Sequence, residues 1–381
     1  MEYKANLFDY LKWRGDVTME QSPFNEIDGM ILARLVYAPF GLVLTDGEQL
    51  SGSELPDRTL VREHYYELKS VMELLLAVPE IEKRVLDAED VKLFAELAKS
   101  PRFMHLYLGD FIDLFDKKEE IQFAACVVRI SDKLHCVTYR GTDSTLIGWK
   151  ENFNMGFICP IRSQVLAKEY LEDFAEHVRG KLLLAGHSKG GNLASYAAAF
   201  CNIKIQKRIQ TVYNYDGPGF EEKVLEEEGF QRICDRIRTF VPQASMVGML
   251  LGHKEQHQVV HSTEVRVPIQ HNMYSWEVLG TRFVYEESVN STSVYLDHTM
   301  KDWLASMDIE KRERFVEAAY SLIADTPDKT LSGLLSNWKQ NSKLVLRSLI
   351  QMDEESKKTI SEGMSLFFKC ARNASFLPET K

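Results

Sequence analysis

The stretch from Leu182 to Ala198 constrains the fold of this 381-residue chain more than any other. Its sequence is LLLAGHSKGGNLASYAA, in which an apolar run enters Gly186–Gly190 and an alanine-rich helical pattern follows. A strand that turns directly into a helix around G-x-S-x-G exposes the serine hydroxyl at the edge of a sheet. Glycines on both sides leave room for the strained backbone of such a turn. The pattern predicts that Ser188 is a nucleophile, and the alternative is a tight turn whose serine has no function.

Changes in hydrophobic period divide the chain into three zones. From Asn6 to about Ser100, apolar residues recur at helical spacing, which predicts helices that cover a sheet or form a lid. From about Gln122 the pattern becomes short β runs, first a hairpin of 123–130 and 134–139, and then strands that alternate with helices. Alternating strands and helices predict a mostly parallel sheet flanked by helices. From about Ser293 the chain returns to helical patterns.

These zones predict two regions. The first is a domain of residues 1–290, with a helical N-terminal cover over about 1–118 and a sheet core over about 119–290. The second is a C-terminal helical region over 291–381. The predicted core elements are a helix at 165–178 and strands at 182–185, 211–215, 237–241 and 258–261. The predicted C-terminal helices are 294–307, 311–323, 331–352 and 356–371.

Composition and charge exclude several classes of function. The net charge of −10, without a concentrated Lys/Arg stripe, argues against nucleic acid or an anionic membrane as the partner. The first residues, Met1–Asn6, lack a secretory pattern, and no apolar run is long enough to span a bilayer, so we expect a cytoplasmic protein without stable membrane insertion. The six cysteines show no C-x-x-C spacing, which favours packed thiols over disulfides or zinc. No cofactor is expected.

A serine hydroxyl is a poor nucleophile until a base accepts its proton. The sequence must therefore supply a histidine on a later loop of the chain. His271 follows the last predicted core strand and begins a loop, and we predict that it is the base. His187 adjoins the serine and is expected to point elsewhere, and His177 precedes the strand. His298 is an alternative, although it falls within an amphipathic helical pattern.

Three other histidines, His253, His257 and His261, recur every four residues. On a helix this spacing would align them as metal ligands. The segment from Gln256 to His261 has the pattern of a strand, however, on which only His257 and His261 share a face. We therefore predict no metal site.

Three motifs resemble those of a known family. They are Tyr139-Arg140-Gly141-Thr142-Asp143, Gly186–Gly191 and Asp216-Gly217-Pro218-Gly219. Together they resemble a class 3 lipase-like α/β-hydrolase core over roughly residues 120–290. The chain is more similar to a bacterial family of unknown function built on that core, which also has an N-terminal stretch like Asp9–Trp13. The resemblance implies an α/β-hydrolase fold and acyl hydrolysis, and puts its histidine at His271, but it supplies no substrate.

The acid is where the sequence departs from this family. In the class 3 lipases the carboxylate lies beside a Val-Pro after a later strand, but the matching segment Phe240–Met246 contains no carboxylate, and Ser245 is a candidate for that position. The nearest acid is Asp216, after the strand that follows the Ser188 helix, where a carboxylate would orient the imidazole. Asp216 also begins a turn of favourable composition. Both interpretations of Asp216 stay open.

An oxyanion hole needs donors fixed where negative charge develops. One donor would be the backbone amide of Lys189, directly after the serine. The other would come from the loop Arg140–Thr142, in which Thr142 offers an amide, a hydroxyl or both. We expect Arg140 itself to form a salt bridge that holds this loop.

These residues favour a serine hydrolase that cleaves an acyl ester or thioester through an acyl-enzyme. The expected partner is a small-molecule acyl substrate, with lipid as one candidate. The alternative is a non-catalytic α/β-hydrolase scaffold that binds a ligand or a protein partner, which the missing acid favours. A membrane-surface lipase would need an amphipathic entry segment, and Met246–Leu251 is the only short apolar stretch near the expected cleft. Neither the chain length of the substrate nor the oligomeric state is predicted.

Overall fold

The computed structural model describes residues 4–44, 58–116, 118–119, 121–142, 146–156, 158–324 and 338–374. Its strands in this part of the chain are β1 Arg58–Glu67, β2 Tyr107–Asp116, β3 Ile121–Ser131, β4 Leu134–Tyr139, β5 Lys181–His187, β6 Ile209–Tyr215, β7 Ile237–Pro242, β8 His257–Val260, β9 Val278–Leu279, β10 Arg282–Phe283 and β11 Tyr285–Glu286.

A nine-stranded sheet has the strand order β1 to β8 followed by β11. The five strands from β4 to β8 run parallel, as expected where helices connect successive strands. Strands β1 to β4 pair antiparallel at one edge, and β11 pairs antiparallel with β8 at the other. The predicted hairpin is the pair β3 and β4. The predicted fold class, an α/β-hydrolase-type sheet flanked by helices, is confirmed, and the antiparallel edges make the sheet mixed.

The helices fall into three groups along the chain. The N-terminal helices are α1 Leu7–Arg14, α2 Glu26–Leu35, α3 Leu68–Leu76 and α4 Glu89–Leu97. The central helices are α5 Leu146–Asn154, α6 Arg162–His177, α7 Lys189–Phe200, α8 Ile203–Gln206, α9 Glu222–Leu225, α10 Glu228–Ile233 and α11 Val267–Gln270. The C-terminal helices are α12 Ser291–Ala305, α13 Ile309–Ala324, α14 Trp338–Gln351 and α15 Glu354–Ala374.

Alternate residues of each strand point to opposite faces of the sheet, and apolar side chains on both faces are covered by helices. In β5, Leu183 and Ala185 belong to the hydrophobic cluster that includes residues of the N-terminal helices. Leu182 and Leu184 belong to the cluster on the other face, with residues of α6, α7 and α10. The parallel strands are therefore buried, and their carboxyl ends lie at one edge of the domain.

Two strands fall within residues 1–118, where the sequence predicts a helical cover. In β2 the register with β3 shifts between Gly109 and Ile112, and Asp110 has a φ of 49°. Such a bulge moves the following side chains to the other face and so interrupts the alternation from which a strand is predicted. Among the described strands, β1 pairs with β2 alone, and an edge strand needs no continuous apolar pattern.

The C-terminal helices surround a small hydrophobic cluster of Trp303, Met307, Phe315 and Cys370. Of the predicted helix 331–352, residues 331–337 lie outside the described residues, and α14 covers 338–351. The division of the chain at residue 290 stays a prediction. No helix in the described ranges combines the length and the apolar character that crossing a bilayer requires.

Candidate functional site

Ser188 lies in a strained turn between β5 and α7. Its φ and ψ are 57° and −133°, and its amide donates to the carbonyl of Tyr215 over 2.9 Å. A Cβ atom on Gly186 would lie 2.1 Å from the Gly190 carbonyl oxygen, and one on Gly190 would lie 2.1 Å from that of Tyr139. Glycine is therefore required on both sides of the serine. Among the described residues, no hydrogen bond occupies the Ser188 hydroxyl, and the residue is 7% exposed.

Asp216 follows β6, the neighbour of β5, and its side chain contacts His271. The distance from His271 Nδ1 to Asp216 Oδ2 is 2.6 Å, and the carboxylate is almost completely buried while the imidazole is 28% exposed. The other oxygen, Oδ1, accepts hydrogen bonds from the Ser245 hydroxyl at 2.5 Å and the Gly248 amide at 3.1 Å. Ser245, the candidate for the acid's position, thus donates to the carboxylate of Asp216.

Side-chain amides fix the loop of His271 on both sides. Before it, Gln270 accepts from the amide of Ala244 at 2.9 Å and donates to the carbonyl of Glu264 at 2.7 Å. After it, Asn272 donates to Asp87 at 2.7 Å. These bonds connect the loop both to the segment after β7 and to the segment before α4.

Tyr274, three residues after His271, attaches the same loop to α2 and α4. Its hydroxyl donates to Asp90 at 2.7 Å, and Asp90 also accepts two hydrogen bonds from Arg34 at 2.6 and 2.7 Å. Burial acts to lower the pKa of Arg34, but the charge of Asp90 and the hydrogen bonds to it raise this pKa above its ordinary value. A buried, charged pair therefore supports the loop of the candidate base.

Thr142 lies in the loop after β4, which is packed against the Ser188 turn. A Cβ atom on the preceding Gly141 would lie 3.1 Å from the Cβ of Ser188. The Thr142 hydroxyl donates to Asn152 of α5 at 2.7 Å, which leaves its backbone amide as the donor available to an oxyanion. Arg140 forms the expected salt bridge, two bonds of 2.6 and 2.7 Å to Asp113. Asp143, the last residue of this motif, lies outside the described residues.

Lys189 is the first residue of α7, so its backbone amide has no acceptor within the helix. Its side chain is fully buried and points away from solvent, with Nζ 2.5 Å from Glu151 Oε2 and 2.6 Å from the carbonyl of Gln122. Glu151 belongs to α5, the helix that also bonds Thr142. The two candidate oxyanion donors are thus connected through one helix.

His187 does not point away from the site as the sequence predicts. Its ring lies against that of His271, with a centroid distance of 4.4 Å and an interplanar angle of 33°. His187 Nε2 is 2.9 Å from the carbonyl oxygen of His271. Burial, followed by the nearby charges of His271 and Arg34, holds the pKa of His187 well below its ordinary range. The imidazole of His187 is therefore neutral.

The other histidines lie elsewhere. His253 pairs with Glu255 at 2.8 Å, and His261 pairs with Glu286 at 2.6 Å. His298 is on the exposed side of α12. Within the described residues no group of three or more His, Cys, Asp or Glu side chains has an arrangement that would hold a metal ion.

A family model described as Mbeg1-like matches residues 97–321, more than half of the chain. The chain belongs to the Mbeg1-like family. The Mbeg1-like segment contains all five of the predicted site residues, namely Thr142, Ser188, Lys189, Asp216 and His271. It excludes α2 and Asp90, which support the His271 loop.

Two further comparisons add little to the Mbeg1-like match. Among solved structures, a crystal structure of M37 lipase matches at 13% sequence identity and a TM-score of 0.34, covering 58% of this chain and 69% of that chain. This TM-score is too low to support an argument about fold or function. A comparison with curated proteins found no match.

Sequence reasoning missed Arg34, Asp90 and Tyr37, all of which lie outside the Mbeg1-like segment. The available signal is weak: the largely apolar segment of α2, which is buried at every residue, contains the charged residues Glu26, Asp28 and Arg34. A buried charge requires a partner, so such residues predict a specific contact. The pattern does not indicate where along the chain that partner lies.

Proposed function

We propose that this chain is a serine hydrolase that cleaves an acyl ester or thioester through an acyl-enzyme. The observation that carries the proposal is the 2.6 Å contact between His271 Nδ1 and the buried Asp216 carboxylate, in a chain whose Ser188 lies in a strained strand-to-helix turn. Ser188 and Asp216 follow neighbouring parallel strands, and the Ser188 amide bonds the carbonyl of Tyr215 directly before the acid. Ligands of open α/β sheets bind at this carboxyl edge.

In the proposed reaction, the Ser188 oxygen forms a bond to the acyl carbon while its proton passes to His271 Nε2. The electron pair of the carbonyl π bond moves onto oxygen, and the backbone amides of Lys189 and Thr142 stabilise this oxyanion. When the oxyanion collapses, the bond to the leaving alcohol or thiol breaks and His271 returns the proton to it. Water then hydrolyses the acyl-enzyme by the same steps, with His271 again as the base.

Asp216 has the role of holding the imidazole. A carboxylate on Nδ1 keeps the proton on that nitrogen, so Nε2 has a free lone pair for the serine proton. Asp216 accepts from Ser245 and Gly248 through its other oxygen, which fixes its orientation. The alternative of a non-catalytic scaffold draws on the absence of an acid after the later strand, and the contact of Asp216 with His271 supports an acid at a different strand end.

The test is the rate of hydrolysis of chromogenic acyl esters and thioesters by four forms of the full chain. His271→Ala and Asp216→Asn should each lower kcat by about three to four powers of ten, because the serine is then not activated. His298→Ala, on the exposed side of α12, is the control and should keep the wild-type rate. Wild-type turnover that is unaffected by His271→Ala would contradict the proposal.

A further inference from the structure

Tyr37 lies outside the Mbeg1-like segment, and its hydroxyl contacts the residue that precedes Ser188. It follows α2 and is buried. Its hydroxyl is 3.1 Å from the amide of Gly141 and 3.2 Å from His187 Nδ1. A Cβ atom on Gly141 would lie 2.2 Å from this hydroxyl, so the contact leaves no room for a side chain. One phenol therefore contacts both the loop of Thr142 and the residue that precedes Ser188.

The hydrogen atoms of this group can be assigned from its partners. The carbonyl of His271 can only accept, so His187 Nε2 must carry a proton. A neutral His187 has a lone pair on Nδ1 that can accept from Tyr37 at 3.2 Å, and the Tyr37 hydroxyl is also 3.4 Å from the His187 carbonyl oxygen. Burial raises the pKa of Tyr37 to about 12, so its hydroxyl keeps the proton that it donates. The phenol oxygen in turn accepts from the amide of Gly141.

We propose that Tyr37 and His187 form a positioning bridge that sets the oxyanion loop and the base relative to Ser188. The bridge runs from the Gly141 amide through the Tyr37 hydroxyl to His187, and from His187 Nε2 to the carbonyl of His271. It joins three segments that follow different strands, and all three carry groups of the proposed reaction. The inference rests on the proposed function, since positioning matters only where a reaction takes place.

Tyr37 is itself held in place by the buried pair of Arg34 and Asp90. The guanidinium of Arg34 lies over the ring of Tyr37, 5.0 Å from its centroid, and over the ring of Tyr274 at 5.2 Å. Tyr274 is part of the His271 loop. The same cation thus contacts the bridge and the loop of the base, which makes the N-terminal region a support of the site.

The first test compares Tyr37→Phe with Tyr10→Phe in ester hydrolysis. Tyr10 is a matched control: it is a buried tyrosine of the same region whose hydroxyl bonds Asp28 at 2.7 Å and Asn25 at 2.8 Å. Tyr37→Phe should lower kcat on the order of ten- to a hundredfold with little change in KM, because the bridge does not touch substrate and small displacements of reacting groups are costly. Equal kcat values for the two variants would overturn the proposal.

The second test replaces His187. In His187→Gln the amide nitrogen can still donate to the carbonyl of His271, whereas in His187→Leu it cannot. The glutamine variant should therefore keep at least tenfold more kcat than the leucine variant, at similar KM. If both variants lose the same activity, His187 has a packing role alone and the bridge is rejected.

Nitrogen NMR of the histidine side chains tests the bridge without any turnover. The wild-type chain should show His187 as the neutral tautomer with its proton on Nε2, and Tyr37→Phe should shift the Nδ1 resonance by removing its donor. A proton on Nδ1 would overturn the bridge itself. Absence of wild-type hydrolysis would instead overturn the proposed function, and the positioning role with it, whatever tautomer is observed.

Discussion

The helical regions at the two ends of the chain make different kinds of contact. The N-terminal helices share one large hydrophobic cluster with the sheet, and one of their ion pairs is buried: the side chains of Arg34 and Asp90 are 6% and 4% exposed. The C-terminal helices have their own small cluster, and they include pairs that are open to solvent on both sides, such as Lys311 and Asp308 at 64% and 61%. Surface pairs add little to stability, whereas breaking a buried pair leaves an uncompensated charge.

The two regions also differ in their contacts with the candidate site. The N-terminal region bonds the His271 loop through Tyr274 and the Ser188 turn through Tyr37. The C-terminal helices bond other segments: Glu317 pairs with Lys150 of α5 at 2.5 Å, and the Ser293 hydroxyl of α12 donates to the carbonyl of Ser245. A region without a recognisable catalytic motif can therefore determine the geometry of a site through buried polar contacts.

The largest effect that we expect comes from Asp90→Ala. This change leaves the buried guanidinium of Arg34 and the hydroxyl of Tyr274 without their shared acceptor. The free energy of unfolding should fall by about 3–5 kcal/mol, as measured by urea denaturation. Ester hydrolysis should fall as well at temperatures at which the variant is folded, because the His271 loop loses its support.

Lys311→Ala is the matched change in the C-terminal helices, since it also removes one partner of an ion pair. It should produce no measurable change in either stability or hydrolysis. If the two variants were equally stable, the contrast between the two regions would be wrong.

A smaller effect is expected in the pH dependence of stability, through His187. Its pKa in the folded chain lies well below the ordinary value of about 6.5, chiefly because of burial. As the pH falls below about 6.5, the unfolded chain binds a proton that the folded chain does not. Neutral His187 therefore makes its full contribution to the free energy of unfolding above a pH of about 6.5. As the pH decreases towards the pKa of the folded chain, this contribution falls by up to about 1.4 kcal/mol per pH unit.

His187→Gln should remove this contribution to the pH dependence of the free energy of unfolding. Urea denaturation from pH 8 to pH 5 should show a shallower loss of stability in the variant than in the wild type below pH of about 6.5. His135 and His257, whose pKa values are also lowered by burial, are present in both proteins and cancel in the comparison. Parallel curves would mean that His187 takes up its proton over the same pH range in the folded and the unfolded chain, which contradicts the lowered pKa from which its neutral form is inferred.

The sequence predicts those parts of the molecule whose determinants are local. The candidate nucleophile is predicted from a few consecutive residues, because the glycines beside Ser188 are needed by the backbone of that one turn. Asp216 and His271 are predicted from chain order and strand ends, because parallel strands bring their carboxyl ends to one edge. Their 2.6 Å contact was not predictable, since the turn and the acid role were equally compatible with Asp216.

The parts that the sequence missed depend on residues far apart in the chain. Tyr37 and His187 are 150 positions apart, and no local pattern marks a tyrosine after a helix as a partner of a distant turn. Strand β2 was missed for a different reason, because the bulge near Asp110 interrupts its alternation. Hydrophobic periodicity therefore predicts the helices that cover the sheet, but it does not predict the contacts of those helices with the site.

The central claim is that Ser188 is a nucleophile activated within this fold, and covalent labelling tests it most directly. The full chain is treated with a fluorophosphonate, and the labelled residue and the number of groups per chain are determined by mass spectrometry. We predict one phosphonyl group on Ser188 of the wild type, none on Ser188→Ala, and strongly slowed labelling of His271→Ala because the serine then lacks its base. Equal labelling of wild type and Ser188→Ala, or no labelling of the wild type, would contradict the account.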